Sequence, residues 1–412
     1  MPMFSIPLSG LDAASSALSV ISNNLANLNT TGYKKQDASF KDLFYQTIGD
    51  TGAGDPVQMG AGTAVSAISS KFTDGSLNTT GVATDVAVTG NGFFVVQKNG
   101  EMLFTRDGHF TTDTAGNLIT QNGESVMGYA AVNGVIPPAQ TLSPIVLGQG
   151  LSSPPLATTT LQMTSNLDAS AATGATFSTP ISVNDSLGVA HVITFQFTKT
   201  GANAWSYNAT IPAADVGAVG APVSISTGNL TFNGNGVLTA PAANIAGIAV
   251  NGLADGATNL NLTWNLFDAN NNPLITQVAS PSTTTGTSQN GYSSGTLLNF
   301  NIGSDGVIQG TFTNGKTTPI AQIALGTFAD EQGLMRIGNN DFNASLASGA
   351  PVIGAPQLGG RGTLTGGALE QSNVDIATEF ANMIVSQRGF QANAKVVTTF
   401  DEITQNTIDL IR

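Results

Sequence analysis

A chain of 412 residues has room for two to four domains, and this one is 41% apolar but only 9% charged, with 48 glycines. Its net charge of −13, with Lys199 the only Lys or Arg between Asp107 and Gly315, argues against nucleic acid and against an anionic membrane surface as partners. The absence of cysteine excludes disulfides, thiolate metal sites and cysteine nucleophiles.

Met1 to Leu11 carries neither a basic residue nor a long apolar run, so no secretory signal peptide is expected. No apolar stretch approaches the roughly 18 residues of a membrane span. From Leu11 to Thr31 there is no Gly or Pro, which predicts a first helix. Leu11, Ala14, Leu18, Ile21, Leu25 and Leu28 alternate steps of three and four and form one seam. Ser9 and Asp12 give a start signal, and Gly32 a stop.

The middle of the chain is punctuated by Gly, Asn and Pro, as in short strands joined by turns. Gly49 to Gly62 reads as an irregular loop. Asp85 to Val96 reads as two strand-like runs around Gly90-Asn91-Gly92, followed by alternating runs through Tyr129. Val192–Phe197 and Leu260–Leu266 are strand signals of an inserted region, flanked by Ser152–Pro155 and Ser280–Thr285 as crossings in and out.

From Ala368 to Arg412 the only breaker is Gly389, which predicts a second, longer helix of about 55 to 60 Å. Its seam runs through Ile376, Phe380, Met383, Gln387, Phe390, Ala394, Val397, Asp401, Thr404, Ile408 and Ile411. Ser372 and Asp375 repeat the start signal, and Asp375, Glu379 and Arg412 complement the helix dipole. The first helix is marginal alone, because each ordered residue costs about 1 to 2 kcal/mol and its seam is short. The second helix is its natural cover. Pairing opposite ends of the chain implies a mixed, nested multidomain fold, with an N/C-terminal coiled-coil pair and two mainly-β outer domains. The expected partition is 1–32 with 372–412 as paired helices and 33–70 with 360–371 as a connecting region. Residues 71–147 with 289–359 then make a first β-domain, and 148–288 an inserted outer one.

Signals of catalysis are missing. His109 and His191 have no metal-ligand residues in a recognisable spacing, so a structural role is expected for both. Asp268, Asn270 and Asn272 mimic the start of a calcium loop but lack its sixth-position Gly and twelfth-position Glu, which favours an ordinary turn. No catalytic, cofactor or metal site is expected.

Ser22-Asn-Asn-Leu-Ala-Asn-Leu-Asn-Thr-Thr-Gly-Tyr-Lys34 resembles the N-terminal motif of bacterial flagellar rod and hook proteins. Leu369–Asp375, Gln387–Lys395 and Asp401–Ile403 are similar to that family's C-terminal motif, and Gly90–Phe94, Phe104–Phe110 and Gly116–Leu118 to its β-domain. Ser182–Gly188 with His191 resembles the additional domain of the hook branch. The resemblance implies a non-enzymatic, cofactor-free subunit that polymerises with itself into a curved tube outside the cell, after type III export. It implies the hook cap, distal rod and hook–filament junction proteins as further partners, and no membrane insertion; a distal rod or junction subunit is the alternative. Leu11, Leu18, Ile21, Leu25, Leu28, Ile376, Phe380, Met383, Phe390, Val397, Ile408 and Ile411 are the expected assembly residues. Asn24, Asn27, Thr31, Gly32, Asn373, Gln387, Arg388, Gln391 and Asn393 are the family-motif residues.

Overall fold

The computed structural model describes residues 5–44, 46–50, 52, 55–138, 141–148 and 150–410. Ile411 and Arg412, expected at the end of the second helix, lie outside the described residues. Two helices stand at the ends of the described chain, α1 (Ser5–Ala26) and α2 (Ile376–Leu410), and the chain between them is mainly strand and turn. The chain divides into two units: Met1–Gly148 with Phe300–Gly310 and Thr318–Arg412, and Gln149–Asn299 with Thr311–Thr317.

In the first unit, strand Phe93–Lys98 pairs with Glu101–Thr105 on one side and Ser125–Ala130 on the other. Phe93 and Val95 face one apolar cluster with Phe104 and Phe342, while Phe94 and Val96 face another with Val86, Leu118 and Ile323. A strand covered on both faces reads as a continuous apolar run, as Phe93-Phe-Val-Val96 does. The two runs flanking Gly90-Asn91-Gly92 do not pair with each other. Val86–Thr89 instead pairs with Thr363–Gly366, a partner almost 280 residues away that no local pattern names.

Part of the Gly49–Gly62 stretch is strand rather than irregular loop. Gln46–Asp50 and Pro56–Met59 pair antiparallel, and Thr63–Ser70 pairs with Gln36–Asp42. Backbone hydrogen bonds make these ladders whatever the side chains, and a register shift between Thr47 and Gly49 accommodates Ile48 as the extra residue.

The second unit holds two five-stranded sheets. One is ordered Thr176–Asn184, Ala190–Gly201, Ala204–Ile211, Val223–Phe232, Leu238–Ala240. The other has Thr160–Asp168 paired with Leu260–Asn265, Ile275–Val278 and Thr283–Gln289. The expected exit crossing Ser280–Thr285 therefore runs into a strand of this sheet rather than leaving the unit. Alternate residues of Ala190–Gly201 and Ala204–Ile211 point inward, and their apolar faces join Trp264 in one core, with Phe195 at 4.6 Å and Tyr207 at 5.1 Å from its ring. Asp268 makes an ordinary turn: its Oδ1 accepts the amides of Asn270 at 2.9 Å and Asn272 at 2.8 Å.

Candidate assembly surface and the joint beneath it

The two helices pack side by side and antiparallel. Asn24 Nδ2 donates to Glu379 Oε2 at 3.2 Å, and Gly10 lies against Asn393, so residues 10 to 24 of α1 run opposite residues 393 to 379 of α2. A Cβ on Gly10 would stand 2.7 Å from Asn393 Nδ2, so glycine there makes room for the Asn393 side chain. The start signals are shifted from expectation. α1 begins by Ser5 and ends at Ala26, which leaves Leu28 in the turn beyond it; Ser9 Oγ accepts from Thr63 N instead of capping a helix. On α2 the capping side chain is Asp375, whose Oδ1 accepts the Thr378 amide at 2.7 Å. That hydrogen bond holds the Asp375 pKa below its ordinary value.

The inward faces also differ from the expected seams. On α1 the buried positions are Pro7, Ala13, Val20, Ile21 and Asn24, while Leu11, Leu18 and Leu25 are half-buried at the flank. On α2, among the described residues, only Glu379 is buried; Met383, Ser386, Gly389, Asn393, Ala394, Val397 and Phe400 are half-buried, and Ile376, Phe380, Phe390 and Ile408 are exposed. Small residues at the contact bring the helices close, and the larger apolar side chains are displaced to the outside. Phe380 is 52%, Ile384 58% and Val385 70% exposed. Every residue from Asp401 to Asp409 is exposed, because by this register α1 has no described residue opposite them. A groove of about 540 Å³ lies where α1, α2 and strand Gln36–Asp42 meet, lined by Val20, Ile21, Lys35, Phe40 and Val385 among others.

Beneath the helices the motif residues build a polar joint. Asn24 Oδ1 accepts from Gln36 N at 2.9 Å and Tyr33 Oη at 3.3 Å, while its Nδ2 reaches Gln36 O at 2.9 Å. Asn27 Nδ2 donates back to Asn23 O at 2.9 Å, and Asn27 Oδ1 accepts from Thr30 Oγ1 at 3.1 Å. Thr31 O accepts from Asn340 Nδ2 at 2.8 Å. Gly32 has φ +67°, and a Cβ there would sit 2.6 Å from the Arg106 carbonyl, so only glycine fits. Asn373 ties the start of α2 to the opposite end of the chain, its Oδ1 accepting Lys35 N at 2.7 Å and its Nδ2 donating to Lys71 O at 2.8 Å. Asn393 Nδ2 donates to Gly389 O at 3.0 Å, whereas Gln387, Arg388 and Gln391 lie exposed on α2, away from the joint.

Sequence reasoning did not single out the charges in this joint. Glu370 Oε1 accepts from Lys34 Nζ at 2.6 Å and Gly75 N at 2.8 Å, and its Oε2 faces Arg106 Nη1 at 3.4 Å; all three charged side chains are buried. Burial, and next the Arg106 charge, lower the Lys34 pKa, with Glu370 opposing both. In a chain so poor in charge, Lys34 and Arg106 falling inside recognised motifs was the available signal.

Both histidines meet carboxylates in the fold. His109 Nδ1 lies 2.8 Å from Asp85 Oδ1, and His191 is surrounded by Asp185, Asp215 and Asp255, brought together from three loops that local spacing could not connect.

Comparison with known proteins places this architecture. Family models match at residues 6–34 (flagella basal body rod protein), 87–154 (flagellar hook protein FlgE/F/G D1 domain), 151–292 (flagellar basal body protein FlaE D2 domain) and 365–410 (flagellar basal body rod FlgEFG protein C-terminal). The flagellar hook protein FlgE of Escherichia coli is 36% identical over 99% of both chains. That of Treponema pallidum is 33% identical over 98% of both. A crystal structure of the Helicobacter pylori flagellar hook protein FlgE2 has the same fold over 71% of this chain and 100% of its own, with a TM-score of 0.50 at 15% identity. With both ends, the β-domain and the inserted domain all matched along nearly the whole length, this chain belongs to the flagellar hook protein family.

Proposed function

We propose that the chain is the structural subunit of the flagellar hook, polymerising with its own copies into a curved, flexible tube that carries torque from rod to filament. The supporting observation is the set of large apolar side chains left open around α2. Phe380, Ile384, Val385, Ile403 and Ile408 are each more than half exposed on one helix, a surface that water disfavours and a neighbouring copy would cover. Each such side chain contributes about 1.5 to 3 kcal/mol when fully buried. In this reading α1 and α2 act as a coiled-coil pair in an inner layer, joined to the half-buried Leu11, Leu18 and Leu25 of adjacent copies. The chain is nested, and its β-rich regions face outward. Their surfaces, poor in charge, let neighbouring subunits shift as the tube bends.

Kinship with hook proteins further supports placement outside the cell after type III export, with the hook cap, distal rod and hook–filament junction proteins as neighbours. No helix among the described residues is long and apolar enough to cross a membrane. The test is polymerisation of the purified full chain, followed by electron microscopy. Curved tubes are expected from the wild type, and none from Phe380→Ser, Ile384→Ser with unchanged circular dichroism. Tubes formed equally well by that variant would overturn the assembly surface.

A further inference from the structure

Asp185, His191, Asp215 and Asp255 converge within the second unit, in a cluster that hook assembly does not use. Asp185 occupies the turn between strands Thr176–Asn184 and Ala190–Gly201, and its Oδ1 accepts the amides of Leu187 at 2.8 Å and Val189 at 2.9 Å. Its Oδ2 is left facing His191 Nε2 at 3.1 Å. The ring's Nδ1 lies 3.0 Å from Asp215 Oδ2, on the short helical turn Ala213–Val216. Asp255 Oδ2, from the loop after strand Ile245–Val250, approaches Nε2 at 3.7 Å. Asp185 and His191 are buried, while the side chains of Asp215 and Asp255 are 28% and 24% exposed.

A neutral imidazole has one N–H. With that proton on Nδ1 and given to Asp215, Nε2 turns a lone pair toward two carboxylates, neither of which donates while ionised. One more positive charge belongs at Nε2, and it is either a proton or a metal ion. The geometry favours the ion. A proton on Nε2 points at one acceptor, but two carboxylate oxygens gather there, and with Nε2 all three atoms lie within 4.8 Å of one another. Zinc–ligand bonds of about 2.0 to 2.2 Å in a tetrahedron space the ligands about 3.3 to 3.6 Å apart, between the two separations seen. The surrounding bonds are those of a prepared site. A carboxylate on the far ring nitrogen fixes the tautomer, and amides on the far oxygen of Asp185 fix its orientation.

We propose that His191 Nε2, Asp185 Oδ2 and Asp255 Oδ2 bind a divalent transition-metal ion of the zinc class, with Asp215 positioning the ring and water in the fourth place. Such an ion ties strand Ala190–Gly201 and two loops of the second unit together and stabilises it by binding the folded state alone.

The experiment uses the full chain stripped with EDTA and titrated with zinc chloride by calorimetry, with bound metal measured by mass spectrometry. One zinc per chain is expected, with an accompanying rise in the tryptophan-fluorescence melting temperature. His191→Gln and Asp255→Asn should each weaken binding at least tenfold, whereas His109→Gln, at the only other histidine, should leave it intact. Asp255→Asn changes a partly exposed side chain, so it reads binding even where His191→Gln disturbs folding. Failure of the stripped wild type to take up stoichiometric zinc would overturn the proposal in favour of a protonated His191. Unchanged binding by Asp255→Asn would overturn it equally.

Discussion

Glu370→Gln tests whether the joint beneath the helices depends on a buried charge. The substitution keeps the side chain's volume and one carbonyl acceptor but removes the negative charge shared by Lys34 Nζ at 2.6 Å and Arg106 Nη1 at 3.4 Å. Lys34 and Arg106 are both buried, and the remaining carboxylate within ion-pair distance is Asp74, whose side chain is 38% exposed and 3.4 Å from Arg106. Removing one partner from a buried ionic cluster costs about 3 to 5 kcal/mol, against a total domain stability of about 5 to 15 kcal/mol. At about 2 to 4 °C per kcal/mol for a unit of this size, the melting temperature should fall by about 6 to 20 °C.

The two units can be followed separately, because Trp205 and Trp264 both lie in the second while α1 and α2 both belong to the first. Circular dichroism at 222 nm should therefore show the earlier transition, while tryptophan fluorescence melts as in the wild type. Adding Lys34→Met should recover part of the loss, because one stranded cation is then gone. A 222 nm midpoint unchanged in Glu370→Gln, or a fluorescence transition that moves with it, would refute the reasoning.

Gly32→Ala should destabilise the first unit by about 2 kcal/mol or more, from its left-handed φ and the 2.6 Å approach to the Arg106 backbone. Gly81→Ala, also at positive φ but with open space around it, should cost less; equal losses in urea denaturation would count against the close-packing argument. Burial, and next the charge of Glu124, raise the Asp341 pKa to about 7. The folded state then holds this proton more tightly than the unfolded chain, so its contribution is fully present below about pH 4 and is lost as pH rises toward 7. Asp341→Asn should flatten that part of the stability profile and gain about 1 to 3 kcal/mol at pH 8, read by denaturation at several pH values. An unchanged slope between pH 4 and 7 would rule out this assignment.

The sequence by itself determined the two terminal helices, since excluding Gly and Pro over long stretches leaves the backbone few alternatives, and it marked the apolar runs that became strands. The residue motifs also carried the family, because asparagines and glycines with demanding local geometry, such as Asn24, Gly32 and Asn373, cannot be exchanged freely. Tertiary structure alone decided which face of each helix turned inward. Periodicity locates an apolar stripe, but close approach at Gly10 and Ala13, together with the Asn24–Glu379 hydrogen bond, selected a neighbouring face of α1 and left Phe380 and Ile384 outside. Only the fold, likewise, brought Glu370 to Lys34 across 336 positions and Asp255 to His191 across 64. Charges that meet over such separations share no local pattern, because their pairing is set by where whole strands and loops come to rest.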